Sequence, residues 1–429
     1  MTRRAQPWPV GLGLGLALLF AACSGPQIPP HPRQGRCAEA EPLQWATLAS
    51  AAIHVVPFQS RSLYDLDAKD QAVPFLPGPC VDCVAVVSWP APTREPGGPE
   101  GFERLGNRSF VYDNALTALL RVDEGKTESA RHLLDTLVAL QRSDGAWGFS
   151  FALRDDGYYN AGYIRTGTVA WVLTALAAYE RIVADGRYLQ AMRRAGGWLA
   201  AQRDPVSGLL RGGRGEWVND GAQFRPDHEV GWASTEHNID AAFALRAAAM
   251  ADPAFAWLDA EALARAIETK LFLADEGRYS RGLQANGPDR TVALDAAGTW
   301  SALFEVARGR GERARALLGF VGRTLGIVLE GWRVLRPGDT TYDEVWFVEG
   351  SVARAMVLAR LGDMDAARRD LVQLAQWACV GGVPLLYASS WVKDFPKSPA
   401  VAPTVWFVLA AREFEGLGSV GLWRASLRP

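Results

Sequence analysis

From Asn107 onward, hydrophobic and polar positions alternate between two kinds of segment. One kind is apolar or small on all sides, and its members begin near Tyr112, Gly167, Thr235, Val292, Val345 and Val401. The other kind is apolar on one stripe only: Glu128–Gln141, Arg187–Gln202, Asp259–Leu271, Gly311–Leu325 and Asp363–Ala378. A helix that is apolar all round is buried, whereas an amphipathic one lies at a surface. The apolar members recur 53 to 68 residues apart, which is the spacing of a repeated helical hairpin. Ala-rich runs such as Ala241–Ala251 favour helix, and period-2 alternation is absent, so no strands are expected here. Six buried helices alternating with outer ones close into a double ring. The run Leu43–Ile53 supplies the sixth outer helix. The expected fold class is therefore all-α, an (α/α)6 toroid of six helical hairpins, with an open helical solenoid as the alternative.

The segments joining each outer helix to the next inner one are long: Arg142–Thr166, Arg203–Ser234, Ala274–Thr291, Gly326–Tyr342 and Cys379–Ala400. Loops of this length in a compact domain usually carry function. All five should emerge on one face, at the N-terminal ends of the buried helices. Residues 38–107 are irregular, with Pro and Gly crowded between Pro90 and Gly101, and read as an extension packed on a toroid spanning 108–429.

The N-terminus has the form of a targeting segment. Arg3 and Arg4 precede an uncharged stretch from Val10 to Ala22, too short to span a membrane well. Phe20-Ala21-Ala22-Cys23 resembles the lipobox of bacterial lipoproteins, with Phe20 where Leu is usual. That resemblance implies a signal peptide over 1–22, lipidation of Cys23 and a Pro-rich tether over 23–37. The expected location is the cell envelope, extracytoplasmic and lipid-anchored, on the outer membrane if the source is Gram-negative. Cys37, Cys80, Cys83 and Cys379 are then disulfide candidates in any of three connectivities. Cys80-Val-Asp-Cys83 lacks a second ligand pair for zinc.

Composition narrows the partners. Of 429 residues 49% are hydrophobic and 21% charged, which allows a large core. The formal net charge of −2 gives no basic surplus for nucleic acid. The 16 Trp residues suit helix interfaces, and those in the loops suit sugar rings. GxGxxG, P-loop and HExxH patterns are absent beyond the signal segment, so no cofactor and no metal are expected. A monomer acting on an oligo- or polysaccharide is expected.

Short segments then sharpen the picture: Tyr112-Asp113-Asn114-Ala115, Gln141 to Gly148, Arg165 to Trp171, and Ser234-Thr-Glu-His-Asn-Ile-Asp240. With the hairpin layout, they resemble the six-hairpin glycosidase superfamily over residues 107–415. The resemblance implies catalytic carboxylates at the starts of inner helices. Glu236 and Asp240, four apart, share a helix face. Asp113 opens the first buried helix, and Asp295 and Glu349 interrupt apolar sequence where a lone carboxylate is costly. Glycoside hydrolysis needs two carboxyl groups, one giving a proton and one acting on the opposite face. Asp113 and Glu236 are the expected pair, with Glu349 or Asp295 as the replacement for either. Tyr112, Asn114, Trp147, Tyr159, Arg165, His237, Asn238, Asp240, Trp346 and Trp391 are the expected substrate-binding residues. Arg165 suits a carboxylate or phosphate.

Three other readings stand beside this one. A polysaccharide lyase or sugar epimerase on the same scaffold would use His237 as base. A glycan-binding envelope lipoprotein would need only the aromatic cleft. Gln141–Trp147 and Trp198–Gln202 also resemble the QW motifs of terpenoid cyclases, where Gln and Trp tie helices together, but the Asp-rich acids of those enzymes are missing.

Overall fold

The computed structural model describes residues 41–58, 82–89, 107–153, 162–218, 223–329, 332–339, 345–377, 379–380, 383–384, 400–420, 422–423 and 427. Among these are twelve α-helices. The inner six are α2 (Val111–Asp123), α4 (Thr166–Val183), α6 (Thr235–Ala251), α8 (Trp300–Ala307), α10 (Val348–Arg360) and α12 (Val401–Phe414). The outer six are α1 (Pro42–Ala52), α3 (Thr127–Ala139), α5 (Leu189–Ala201), α7 (Ala260–Leu271), α9 (Gly311–Thr324) and α11 (Met364–Trp377).

The hydrophobic pattern explains the layers. In α4 every residue from Thr166 to Glu180 is buried. In α3 the buried apolar positions are Ala130, Leu133, Leu134 and Leu137, a single stripe. Each inner helix contacts the next, and α12 contacts α2, so the ring closes. Each outer helix packs on the inner helix of its hairpin. The sixth outer position is filled by α1, which packs on α12 and α11. The chain thus forms an (α/α)6 toroid.

Closure is fastened at the seam between chain start and chain end. Asp123, at the end of α2, accepts from Arg412 Nε at 2.8 Å and from the Val420 amide at 2.8 Å. Arg121 and Glu124 grip Ser50 of α1; Arg121 Nη1 donates to Ser50 Oγ at 2.8 Å. Beyond α12 the chain turns back into the ring. Trp423 stacks on Phe243 of α6 at 4.9 Å and on Trp171 of α4 at 5.3 Å, with its edge toward Trp300 and Trp406. Its φ is +52°, a left-handed conformation that non-glycine residues rarely adopt. Leu427 N donates to Ala307 O at 3.2 Å and holds the tail in place.

The expectation of no strands is corrected. The loops at the inner N-termini fold into short antiparallel ribbons, such as Gly213–Val218 paired with Gln223–Val230 and with Ile164–Arg165. Long connections near the core must pair their backbone groups, and strand pairing does this locally. At Gly213 and Gly215 φ is positive, and a Cβ would meet the carbonyls of Ile164 and Gly162. Cys83 is disulfide-bonded. Cys23, Cys37, Cys80, Tyr159 and Trp391 lie outside the described residues.

Asp123→Ala leaves Arg412 without its carboxylate and Val420 N–H without an acceptor. A loss of about 3–5 kcal/mol is expected in urea unfolding. Arg412→Ala should cost a similar amount, and the double variant should cost less than the sum.

Candidate active site

The inner helices begin at the same level, so residues at equal depth form layers. One residue into three of them stand Tyr112, Glu236 and Glu349, with Gly167 at the same depth in α4 and Asp295 one turn before α8. Asp295–Thr299 is a π-helical turn continuing into α8, a distortion found often at functional sites. Four to five residues deeper lie Trp171, Asp240, Trp300 and Trp406, about 6 Å further down at 1.5 Å per residue. Trp423 closes the space beneath them.

Local sequence fixes these starts. Ser234 caps α6, accepting the His237 amide at 3.3 Å. Thr235 is pinned through its hydroxyl to Ser280 O at 2.7 Å. Gly167 allows α4 close to α6, since a Cβ there would lie 2.6 Å from His237 Cδ2 and 2.9 Å from Asp240 Oδ2.

Tyr112 Oη donates to Glu349 Oε2 at 3.0 Å and accepts from Trp406 Nε1 at 2.7 Å. Burial, then the nearby Glu349, push the phenol well above its usual range, so it stays a donor. Burial pushes the Glu349 carboxyl up to about 8, with Tyr112 pulling it back and the charge of Asp113 adding to the rise. Glu236 is held well above the carboxylate range by burial and then by Asp295, to which it is hydrogen-bonded, with Asp240 and Glu349 adding repulsion. Glu236 therefore keeps its proton beside the Asp295 carboxyl. Asp240 is raised by burial and Asp295, and Trp300 and Trp171 offset part of this. His237 is pushed down to about 3 by burial and the Arg165 charge, so its ring is neutral. Asp240 Oδ1 and His237 Nδ1 are sealed from solvent without a hydrogen-bond partner.

Glu236, Asp240, Asp295, Glu349 and Tyr112 therefore share one chamber, with His237 and Arg165 at its edge. Asp113 stands apart. It is buried, partnered with Ser88 and raised to about 7 by burial, and its charge is felt at Glu349. The expected pair Asp113 and Glu236 is thus not brought together, whereas Glu236, Asp295 and Glu349 lie within electrostatic reach of one another. Among the described residues no His, Cys, Asp and Glu set is placed to hold a metal ion.

Four residues expected to contact substrate are engaged with the protein itself. Asn114 is buried and spends its amide on Val86 N at 3.0 Å, Ser109 Oγ and Phe110 O at 2.7 Å. Asn238 does the same for Leu210 N at 2.7 Å, Leu210 O at 3.0 Å and Ser234 O at 2.7 Å. Each Asn fastens a passing strand to the first turn of an inner helix. Trp147 is buried and donates to Leu137 O at 2.6 Å, beside Gln141, which bridges Gly145 O and Ala191 O. Trp346 is buried and donates to Ser351 Oγ at 2.6 Å. The residues that sequence reasoning missed are Trp171, Trp300, Trp406 and Trp423. Trp171 and Trp406 each stand five residues past an inner-helix start, and Trp300 five past Asp295 of the π-helical turn, a recurrence that does mark one layer.

No known protein family and no curated relative matches the chain. Solved structures do resemble it in fold. A glycosidase in complex with glucose superposes with a TM-score of 0.56 at 14% identity, covering 88% of this chain and 97% of its own. Cellobiose 2-epimerase from Bacillus thermoamylovorans gives 0.54 at 10% identity, covering 72% and 88%. D-mannose isomerase gives 0.52 at 12%, covering 72% and 88%. These likenesses establish the six-hairpin glycosidase-like fold.

The raised carboxyl of Glu349 predicts a specific pH dependence. Between its ordinary value of 4.5 and about 8 the folded state keeps a proton that the unfolded chain has released. Stability therefore falls as pH rises across that window. In Glu349→Gln, urea unfolding at a series of pH values should show a shallower decline between about 4.5 and 8.

Proposed function

We propose that this chain is a carbohydrate-active enzyme, and that it hydrolyses glycosidic bonds. The observation that carries this reading is the opposition of two kinds of carboxyl group in one chamber. Glu349 keeps its proton up to about pH 8 and receives a hydrogen bond from Tyr112 on one oxygen, which leaves the other to deliver the proton. The Asp295 carboxyl, whose charge is felt at Glu236 and Asp240, supplies negative charge for the other side of the sugar.

In the proposed reaction Glu349 gives its proton to the leaving oxygen as the C–O bond breaks. On the opposite face the Asp295 carboxylate either takes a proton from an attacking water or bonds to the anomeric carbon until water displaces it, so the hydroxyl of water ends on the sugar. The helix N-termini around the chamber favour that negative charge. Fold kinship with a glycosidase, an epimerase and an isomerase supports a sugar substrate without choosing the reaction. The epimerase or lyase reading rests on His237 as base, and an imidazole held near 3 is a weak proton acceptor. We also propose the envelope location and the lipid anchor at Cys23, on the strength of the Phe20–Cys23 pattern.

Sugar release from a panel of polysaccharides tests the reading. Glu349→Gln should lower kcat by about 10²–10⁴ with KM little changed, since only proton delivery is lost. Asp113→Asn should keep most of the activity. The parent rate should fall as pH rises through about 8, where Glu349 loses its proton. Glycan binding without release across the panel would reassign the protein as a binder. An Asp113→Asn loss as large as that of Glu349→Gln would move the proton donor to Asp113.

A further inference from the structure

Arg165 immediately precedes α4 and is 8% exposed. A guanidinium keeps its charge under all ordinary conditions, and enclosing it without an anion is costly. No carboxylate is in ion-pair contact with it among the described residues. Glu216, the carboxylate whose charge reaches it, is itself paired with His228 at 3.0 Å.

The side chain is nevertheless held firmly. Nη1 donates to the carbonyls of Ile164 at 2.9 Å, Arg214 at 3.1 Å and Gly215 at 2.9 Å. The guanidinium plane lies 3.7 Å from the centre of the Tyr163 ring and 6.0 Å from that of Trp232. All of these hydrogen bonds run through one nitrogen, which leaves the Nε–Nη2 edge for another acceptor. Trp232 lies 6.0 Å from the His237 ring, whose Nδ1 is sealed without a partner. Through His237 and Gly167 this corner adjoins the Asp240 side of the carboxyl chamber.

We propose that Arg165, Trp232 and His237 form a subsite for the carboxylate of an acidic sugar, so that the substrate is a glycan containing uronic acid. The inference rests on the hydrolase reading for its catalytic context and adds the substrate class. A rigid guanidinium edge matches the two oxygens of a carboxylate, and the flat indole suits the sugar ring. The remaining chamber walls carry carboxyl groups that repel an anion, so Arg165 decides which end of the sugar enters this corner. No carboxylate of the described residues touches its guanidinium, and the substrate's carboxylate would take that place.

Calorimetric titration of the full chain with free D-glucuronate, D-glucose and inorganic phosphate tests this without turnover. Glucuronate should bind about ten-fold or more tightly than glucose, as one charge-assisted pair allows. Arg165→Met should abolish that preference, and Arg165→Lys should restore only part of it. Equal binding of the two sugars by the parent protein, no binding of either, or a preference surviving in Arg165→Met would overturn the proposal. Phosphate displacing glucuronate as readily as glucuronate displaces itself would also overturn it, in favour of an unselective anion site. The parent comparison stands even if the variants fold poorly. Glucuronate binding without hydrolysis of any glycoside would instead sink the hydrolase reading and leave this subsite.

Discussion

Carboxyl groups held away from water govern this structure. Inner helices that are apolar on every side can be stable only when surrounded, and surrounding them encloses a chamber at the level of their N-termini. Acids placed on those first turns lose hydration and crowd each other. The outcome is written in the neighbouring groups: a protonated Glu236 beside Asp295, a protonated Glu349, a phenol locked as donor at Tyr112, and a neutral His237. Each is a response to low dielectric and like charge. None would persist if the ring opened enough to admit bulk water.

The scaffold is accordingly built to prevent opening. Asp123, Arg412 and Val420 clasp the seam, while Arg121 and Glu124 anchor α1 across it. Asn114 and Asn238 perform one task at two hairpins, pairing a passing backbone with the first turn of a buried helix. Gln141 and Trp147 do similar work on the outer side. These polar residues resemble site residues in composition because both kinds sit at helix starts, but their hydrogen bonds are all spent on the protein itself.

That resemblance explains what the sequence allowed to be read and what it concealed. Every inner and outer helix was legible, because burial on all sides or on one stripe leaves a periodic trace. Even α1 was recoverable from the need for a sixth outer partner. Glu236, Asp295 and Glu349 stood out as acids within apolar runs. Whether Asn114 or Asn238 faced the chamber was not legible, since one residue of offset turns a side chain by about 100° around a helix. Asp113, beside Tyr112, shows the same sensitivity: its neighbour faces Glu349 while it turns to Ser88. The loop ribbons escaped notice because two- to eight-residue strands interrupted by Gly leave no alternation to detect. Trp423 carried no signal at all, as its place depends on a chain reversal beyond the last helix.

The chain reversal has a consequence for traffic. Many ring-shaped proteins are pores, and a polymer can be drawn through them from one side to the other. Here the tail plants Trp423 against Phe243 and Trp171, with Trp300 and Trp406 around it, and the passage becomes a blind well. Among the described residues this aromatic floor closes the far end, so a ligand entering at the helix N-termini would leave by the same end.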